Sequence, residues 1–484
     1  MVGGGTLTYR ALADASNRVA NALIDRGVIP GDRVAVLAEN SLEYLEVFLG
    51  ILKAGACAVP LPTLIAPAAL RLMIGEAAPR VVFCSSAYHD AVSGLATVVG
   101  FEFGPPDGIE YAQFRNGGRP DHPDVAIGPD DLFNIIYSSG TTGQPKGIVH
   151  THAFRAQFVA DVETLALFEV GSRFVAATPF YSNATIGPIF AMLGLGCEMI
   201  GFRKFDLDGF FALCGSGGPR HVLLVPVQIG RILDDPRTGA ETLAHGMTVY
   251  STGSKLSGLR KGQVLSRWQA SLIESYGMTE GGPGTTLRVD PSTPADKLDS
   301  VGQPALGCEI RLLDEHGVEV PHGQTGEIVG RSRMQMAGYY LRPEATEQQL
   351  WRDRQGREFI RSGDIGRFDA DGYLYLLDRK KEMIISGGFN IYASDLEAVL
   401  LSHPSVLEAA VIGVPSDQWG ETPVALVVPR PDSGVDPAEL LAWANSQLGK
   451  AQRISRLDLR DALPRGGLGK VLKAQLKAEL AVLT

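Results

Sequence analysis

Residues 8–38 read TYRALADASNRVANALIDRGVIPGDRVAVLA, and this stretch sets the fold class. Thr8 offers the hydroxyl that N-caps a helix, and Leu12, Ala15, Val19 and Leu23 recur at the spacing of one helical face. Gly27 stands where a helix-ending glycine belongs. The apolar run Val34 to Ala38 then reads as a buried strand. The alternation repeats: Ser41 opens a helix through Lys53, Cys57 to Leu61 is a strand, Pro67 to Ala77 a helix, and Arg80 to Cys84 a strand. Helices alternating with strands imply right-handed crossovers and mainly parallel sheets.

Strand-like runs continue at Leu132 to Tyr137, His221 to Val225, Met247 to Tyr250 and Ile328 to Gly330. After Asp378 the texture changes. The charged tetrad Arg379-Lys380-Lys381-Glu382 joins two strand-like runs, followed by a helix near Ser394 to Leu401 and strands at Val406 to Val414 and Pro423 to Val428. The expected fold is therefore α/β: a large N-terminal domain (residues 1–378) of mainly parallel or mixed sheets flanked by helices, and a small mobile C-terminal α+β domain (residues 379–484).

Composition removes whole classes of function. With 484 residues, 45% of them hydrophobic, 20% charged and a net charge of −10, the chain is an ordinary globular protein rather than a disordered one. The acidic balance argues against polynucleotide partners, whose binding rests on Lys and Arg neutralising phosphates. Five scattered cysteines, none in a CxxC spacing, give neither a disulfide framework nor a zinc site, and a reducing cytoplasm fits them. The start MVGGGTLTYR lacks the basic and apolar regions of a signal peptide. The longest uncharged stretch, Phe174 to Cys197, carries Pro179, Tyr181, Ser182, Asn183 and Pro188, so it reads as strand, loop and buried helix, not as an integral membrane segment.

The sharpest chemical signal is Tyr137-Ser138-Ser139-Gly140-Thr141-Thr142-Gly143-Gln144-Pro145-Lys146-Gly147. Glycine-freed backbone N–H groups, a row of hydroxyls and one ammonium make a cradle for phosphate oxygens. It is not a Walker A loop, which requires Ser or Thr after the lysine; here proline precedes Lys146 and glycine follows it. His150-Thr151-His152 has no third ligand nearby in sequence, so packing or loop shaping explains it better than a metal.

With this loop come further motifs in a fixed order: Tyr276-Gly277-Met278-Thr279-Glu280, Arg361-Ser362-Gly363-Asp364, Asp378-Arg379-Lys380-Lys381-Glu382 and Pro464-Arg465-Gly466-Gly467-Leu468-Gly469-Lys470. Together they resemble the adenylate-forming superfamily of acyl-CoA synthetases, peptide-synthetase adenylation domains and luciferases, along essentially the whole chain. The resemblance implies ATP, Mg²⁺ and coenzyme A as cofactors. It implies that Lys146 and Ser138, Ser139, Gly140, Thr141, Thr142 and Gly143 hold the β/γ-phosphates, that Thr279 donates to the α-phosphate, and that Glu280 holds the Mg²⁺. Tyr276, flanked by Ser275 and Gly277, stacks on adenine, with Gly253, Ser254 and Lys255 passing the other face; the family usually has Gly-Ala-Pro there. Asp364 accepts from the ribose hydroxyls and Arg379 assists it. Lys470 is the adenylation catalyst and Lys381 the hinge for a rotation that withdraws it and brings in Gly387, Gly388 and Phe389 along the pantetheine arm. Residues 450–473 hold seven Lys/Arg and two acids; the other basic residues there are candidates for the coenzyme A nucleotide.

The acyl pocket is expected from Tyr181, Ser182, Asn183, Gly277, Met278 and Gly281. Ser182 replaces the histidine that many members carry after the aromatic pair, and Ala393 replaces a proline. The start of the chain leaves the N-terminal segment common in relatives short or absent. These implications favour an ATP-dependent carboxylic acid–CoA ligase that forms an acyl-adenylate and pyrophosphate, then a thioester. Phe180, Tyr181 and the paired glycines Gly281 and Gly282 favour a flat aromatic acid of the benzoate or cinnamate type; a medium-chain fatty acid is the alternative. The aspartate that binds an amino acid's amine is not apparent near Phe180 to Asn183. No carrier domain follows Lys470, which favours coenzyme A over a separate carrier protein. A nucleotide-binding protein without turnover is opposed by the joint presence of Lys470, Glu280 and Asp364.

Overall fold

The computed structural model describes residues 1–2, 4–138, 145–165, 167–215, 218–239, 242–243, 246–386, 389–416, 418–431, 433–449, 452–466 and 469–482. By compactness the chain divides into two units, Met1–Glu309 with Gly330–Ile360, and Ile310–Val329 with Arg361–Thr484.

In the first unit the opening helix spans Tyr9–Ile24, and the Thr8 side chain accepts from the Ala11 N–H at its start. Its end is a Schellman turn: Val28 N–H reaches Leu23 O, Gly27 N–H reaches Ile24 O, and Gly27 takes φ +79°. Ser41 likewise caps the helix Leu42–Lys53 through the Tyr44 N–H. Such caps stabilise a helix by about 1 kcal/mol each.

An eight-stranded sheet runs in the order Gly338–Tyr339, Lys146–Thr151, Leu132–Ser138, Cys57–Pro60, Arg33–Leu37, Val81–Cys84, Thr97–Gly100, Gly108–Glu110. It is parallel from Leu132–Ser138 onward and antiparallel at the other edge. Both faces are covered. Val34 and Val36 point into one apolar core while Ala35 and Leu37 point into another, as the two-residue period of a strand requires. A seven-stranded sheet follows, ordered Gln303–Pro304, Thr285–Val289, Ser271–Tyr276, Thr248–Ser251, His221–Leu224, Arg173–Ala176, Glu198–Gly201, parallel over its last five strands. The uncharged run Phe174 to Cys197 gives the end of one strand, a loop and the helix Asn183–Gly194. Among the described residues no helix is long and apolar enough to cross a membrane.

The second unit holds a mostly antiparallel sheet ordered Phe389–Ile391, Ile384–Ser386, Gly420–Pro429, Val406–Ser416, with Arg456–Leu459 parallel to Gly420–Pro429. Here too the strands feed two cores: Val411, Ala425 and Val427 join one, Ala410, Ile412, Val424 and Leu426 the other. Within this unit Asp364–Phe368 pairs with Leu374–Arg379 across a bulge between Ile365 and Gly366.

Candidate active site

Most of the expected substrate residues in the first unit lie where parallel strands end. Tyr181, Ser182 and Asn183 follow the strand Arg173–Ala176; Gly253, Ser254 and Lys255 follow Thr248–Ser251; Gly277, Met278, Thr279 and Glu280 follow Ser271–Tyr276. The carboxyl ends of parallel strands are where open α/β sheets bind ligands, because the loops there are free of the ladder.

The strands on either side of the expected phosphate loop, Leu132–Ser138 and Lys146–Thr151, pair antiparallel. Ser138 and Lys146 are register partners at the mouth of this hairpin, and Tyr137 faces Gly147. Ser139, Gly140, Thr141, Thr142 and Gly143 lie outside the described residues. The Lys146 ammonium sits 4.7 Å from the centre of the Tyr339 ring. The Tyr339 hydroxyl donates to Glu280 Oε1 at 2.8 Å, and Glu280 is 8% exposed. Burial, then the Glu280 carboxylate, push the Tyr339 phenol upward, so it stays a donor. Lys146, Tyr339 and Glu280 thus form one chain of contacts. Tyr339 was not among the expected site residues; its only sequence signal is a Gly-Tyr-Tyr run at residues 338–340.

The turn bearing Thr279 and Glu280 is held by its backbone. Met278 N–H donates to Gly282 O at 2.8 Å, Gly281 N–H to Met278 O at 3.0 Å, and Met336 N–H to Glu280 O at 2.9 Å. Gly281 has φ +81°, and a Cβ there would lie 1.6 Å from Met334 O. Glycine is therefore required by packing, which outweighs any role as an open pocket floor. His150 Nε2 lies 2.7 Å from Thr279 O.

Gly253, Ser254 and Lys255, expected beside adenine, are exposed, Gly253 at φ +94°. The loop is anchored from below: Glu274 Oε1 accepts from Leu256 N–H at 2.7 Å, and Glu274 is paired with Lys261 at 2.6 Å, both fully buried side chains. Thr252 Oγ1 donates to Ser275 O at 2.9 Å, tying this loop to the strand that presents Tyr276.

Where the acyl pocket is expected, Asn40 clamps the approach to Tyr181. Its amide N–H groups reach Thr178 O and Phe202 O at 3.0 and 2.9 Å, and its oxygen accepts from Phe180 N–H at 2.7 Å. Phe180, 1% exposed, packs edge-on against Tyr44 with centroids 5.7 Å apart, so it faces the core and not a substrate. Behind it a small apolar hollow is lined by Tyr44, Phe48, Phe180, Ile186 and Phe190. Tyr181 and Ser182 are buried, and Asn183 Oδ1 accepts from Arg155 at 2.7 Å.

In the second unit Asp364 and Arg379 are register partners joined by an ion pair of 2.6 Å. Asp364 N–H donates to Ser362 Oγ at 2.9 Å, and that hydroxyl to Ile328 O at 2.7 Å, which fixes the carboxylate's backbone. Lys470 stands in a tight loop closed by Gly466 N–H to Lys470 O and Leu472 N–H to Pro464 O, both 2.8 Å. Its side chain is exposed. Desolvation, then Arg379, still lower its ammonium, against Glu382 and Asp364, which raise it. Lys381 is exposed, and Phe389 is the register partner of Ser386; Gly387 and Gly388 lie outside the described residues. Neighbouring cations are engaged by acids: Lys473 with Glu397 at 2.7 Å, Arg465 with Glu408 and Arg456 with Asp458 at 2.6 Å.

Known proteins resemble this chain along nearly its whole length. Residues 1–340 match the family model of the AMP-binding enzymes, and residues 395–470 the AMP-binding enzyme C-terminal domain. The chain is 34% identical to a feruloyl-CoA synthase of Amycolatopsis sp, over 98% of this chain and 94% of that protein. It is 30% identical to the long-chain-fatty-acid–CoA ligase FadD13 of Mycobacterium tuberculosis, over 98% and 93%. The crystal structure of ATP-bound MatB from Rhodopseudomonas palustris superposes with a TM-score of 0.90 at 30% identity, covering 99% of this chain and 95% of that one.

Proposed function

We propose a reaction and a substrate class from the premise that the chain belongs to the AMP-binding enzyme family: it is an ATP-dependent acid–CoA ligase acting on an aromatic carboxylic acid. The observation that carries the reading is the contact chain Lys146, Tyr339, Glu280 at the mouth of the Ser138/Lys146 hairpin. It supports the reading because one cation and one buried carboxylate stand at the mouth of that hairpin, and both are needed. A carboxylate attacking the α-phosphate brings two anions together, so the site must supply fixed positive charge and donors.

Lys146, Ser138 and the loop through Gly143 hold the β/γ-phosphates in this reading. Thr279 donates to the α-phosphate, Ser275, Tyr276 and Gly277 with Gly253, Ser254 and Lys255 enclose the adenine, and Asp364 with Arg379 takes the ribose. Glu280 suits Mg²⁺, an ion bound through one or two carboxylates plus substrate phosphates; when bound it offsets charge on the leaving pyrophosphate. Lys470 bridges the carboxylate and the α-phosphate. Its exposed position supports a group open to incoming substrate anions. The thiol of coenzyme A then displaces AMP, with Gly387, Gly388 and Phe389 along its arm and Lys381 as the hinge, at the start of a mobile small domain spanning residues 379–484. Tyr181, Ser182, Asn183, Gly277, Met278 and Gly281 border the acyl group.

The aromatic reading is supported by the feruloyl-CoA synthase likeness. A fatty acid is the second reading, favoured by the long-chain relative. The acidic net charge supports small-molecule partners over nucleic acid, and ATP and coenzyme A as substrates support a cytoplasmic place.

Carboxylate-dependent ATP–pyrophosphate exchange across aromatic, aliphatic and amino acids, with wild type and Lys470→Ala, tests the proposal. Exchange with aromatic acids that the variant loses, followed by thioester formation on adding coenzyme A, is the expected result. Exchange that survives Lys470→Ala would remove Lys470 from the chemistry. Transfer to a carrier protein but not to coenzyme A would reassign the acceptor.

A further inference from the structure

The histidine pair after the phosphate loop resolves into a buried polar relay that the reaction outlined above does not use. His152 turns to the Phe133 ring, edge-on with centroids 5.1 Å apart. His150 is fully buried and stacks on Phe154 at 4.0 Å. Its two nitrogens face opposite kinds of partner. Nδ1 lies 3.1 Å from Arg155 Nη2 and 3.0 Å from Asn134 Nδ2, and Nε2 lies 2.7 Å from Thr279 O. A guanidinium only donates and a carbonyl only accepts. Nδ1 is therefore the acceptor, and the proton is on Nε2, donated to Thr279.

Arg155 is 4% exposed, and among the described residues no carboxylate pairs with it. Burial pulls its guanidinium down to about 9, which leaves it charged at neutral pH. The same Nη2 that faces His150 donates to Asn134 Oδ1 at 3.0 Å and to Asn183 Oδ1 at 2.7 Å. A desolvated cation with only neutral partners is costly to keep. Here it fixes one tautomer of His150 and connects Asn183, on the acyl side, with the carbonyl of Thr279, on the nucleotide side. Burial and Arg155 both drive the imidazole well below its usual value, so it stays neutral.

We propose that His150, oriented by Arg155 and Asn134, is a positioning residue that holds the Thr279–Glu280 turn in register for adenylation. It touches neither substrate nor metal and acts through the Thr279 carbonyl. The inference rests on the assignment of Thr279 and Glu280 to the nucleotide site.

The test uses the full-length enzyme with MgATP and its best acid. His150→Phe keeps a ring against Phe154 and deletes both nitrogens; His150→Gln restores a donor for Thr279 O and an acceptor for Arg155. Loss of one positioning bond near the reacting centre lowers kcat for pyrophosphate exchange by about 10- to 100-fold. His150→Phe should show that loss with little change in KM for the acid, and His150→Gln should recover most of it. Nitrogen NMR of histidine-labelled wild type should report His150 as the neutral Nε2–H tautomer, a readout that survives if the variants fail to fold. The proposal is overturned by a His150→Phe enzyme within about twofold of wild type, by a folded His150→Gln as slow as His150→Phe, or by an Nδ1–H tautomer. Glu280→Gln and Lys470→Ala run alongside. If they leave exchange unchanged, the nucleotide-site assignment itself fails; if they abolish it while His150→Phe does not, only the relay fails.

Discussion

Replacing Lys261 by methionine should loosen the adenine side of the site from beneath. Lys261 is 0% exposed, its ammonium 2.6 Å from Glu274 and 2.7 Å from Ser300 O. Burial lowers the lysine and raises the glutamate, so the pair stays charged only because each holds the other. Methionine fills similar volume but leaves Glu274 as a buried charge without compensation. Breaking a buried pair from one side costs about 3–5 kcal/mol, against a typical domain stability of about 5–15 kcal/mol. The double variant Lys261→Met/Glu274→Gln has no buried charge, and the glutamine oxygen still accepts from Leu256 N–H. Its cost should fall to about 1–2 kcal/mol, that of the lost hydrogen bonds. Urea unfolding gives the stabilities, and exchange of the Leu256 amide reports the local opening. Because the Gly253–Lys255 loop is anchored through Leu256, KM for ATP should rise several-fold in the single variant and return in the double. A single variant that loses less than about 1 kcal/mol, or a double variant no better than the single, would refute the reasoning.

Tyr339→Phe keeps the ring against Lys146 and deletes the bond to Glu280; a hydrogen bond to a charged group contributes about 1.5–3 kcal/mol, so kcat should fall about tenfold or more with a raised Mg²⁺ requirement, measured by magnesium titration of exchange. Gly281→Ala sets a methyl 1.6 Å from a backbone oxygen at φ +81° and should abolish exchange while leaving the second unit's thermal transition in place; near-normal exchange would show that the turn yields. His221, 4% exposed, is lowered to about 4 by burial, against Glu169, which raises it. Its folded value lies below the unfolded one near 6.5, so the unfolded state binds the extra proton, and stability is lost as pH falls from about 6.5 towards 4, by about 1.4 kcal/mol per pH unit. His221→Gln should flatten that slope in pH-dependent unfolding.

What the sequence revealed was local or repetitive. Thr8 and Ser41 bond N–H groups three residues on, Gly27 sits in a six-residue turn from Leu23 to Val28, and Val34 to Leu37 alternate between two cores, so neighbours in sequence are enough to read them. The strand that leads into Ser138 was legible for the same reason, whereas its antiparallel pairing with Lys146–Thr151 was not. Contacts made at long range were not. Tyr339 meets Glu280 across 59 residues and Arg155 meets Asn183 across 28, and neither pairing leaves a periodic trace. Phe180 was misread as a pocket wall because hydrophobicity does not say which way a loop ring turns. It turned to Tyr44, where apolar surface is withdrawn from water.

The Asn40 clamp sets an order of events during synthesis. Its three partners lie 138, 140 and 162 residues downstream, so the loop that leads into the acyl side cannot be latched until Phe202 has left the ribosome. At about 5–20 residues per second the amide waits roughly 8–30 s. During that interval the Asn40 side chain lacks these three partners. Slowing translation between residues 40 and 202 therefore lengthens exposure of a nascent intermediate without touching the finished enzyme, and synonymous codons become a lever on yield.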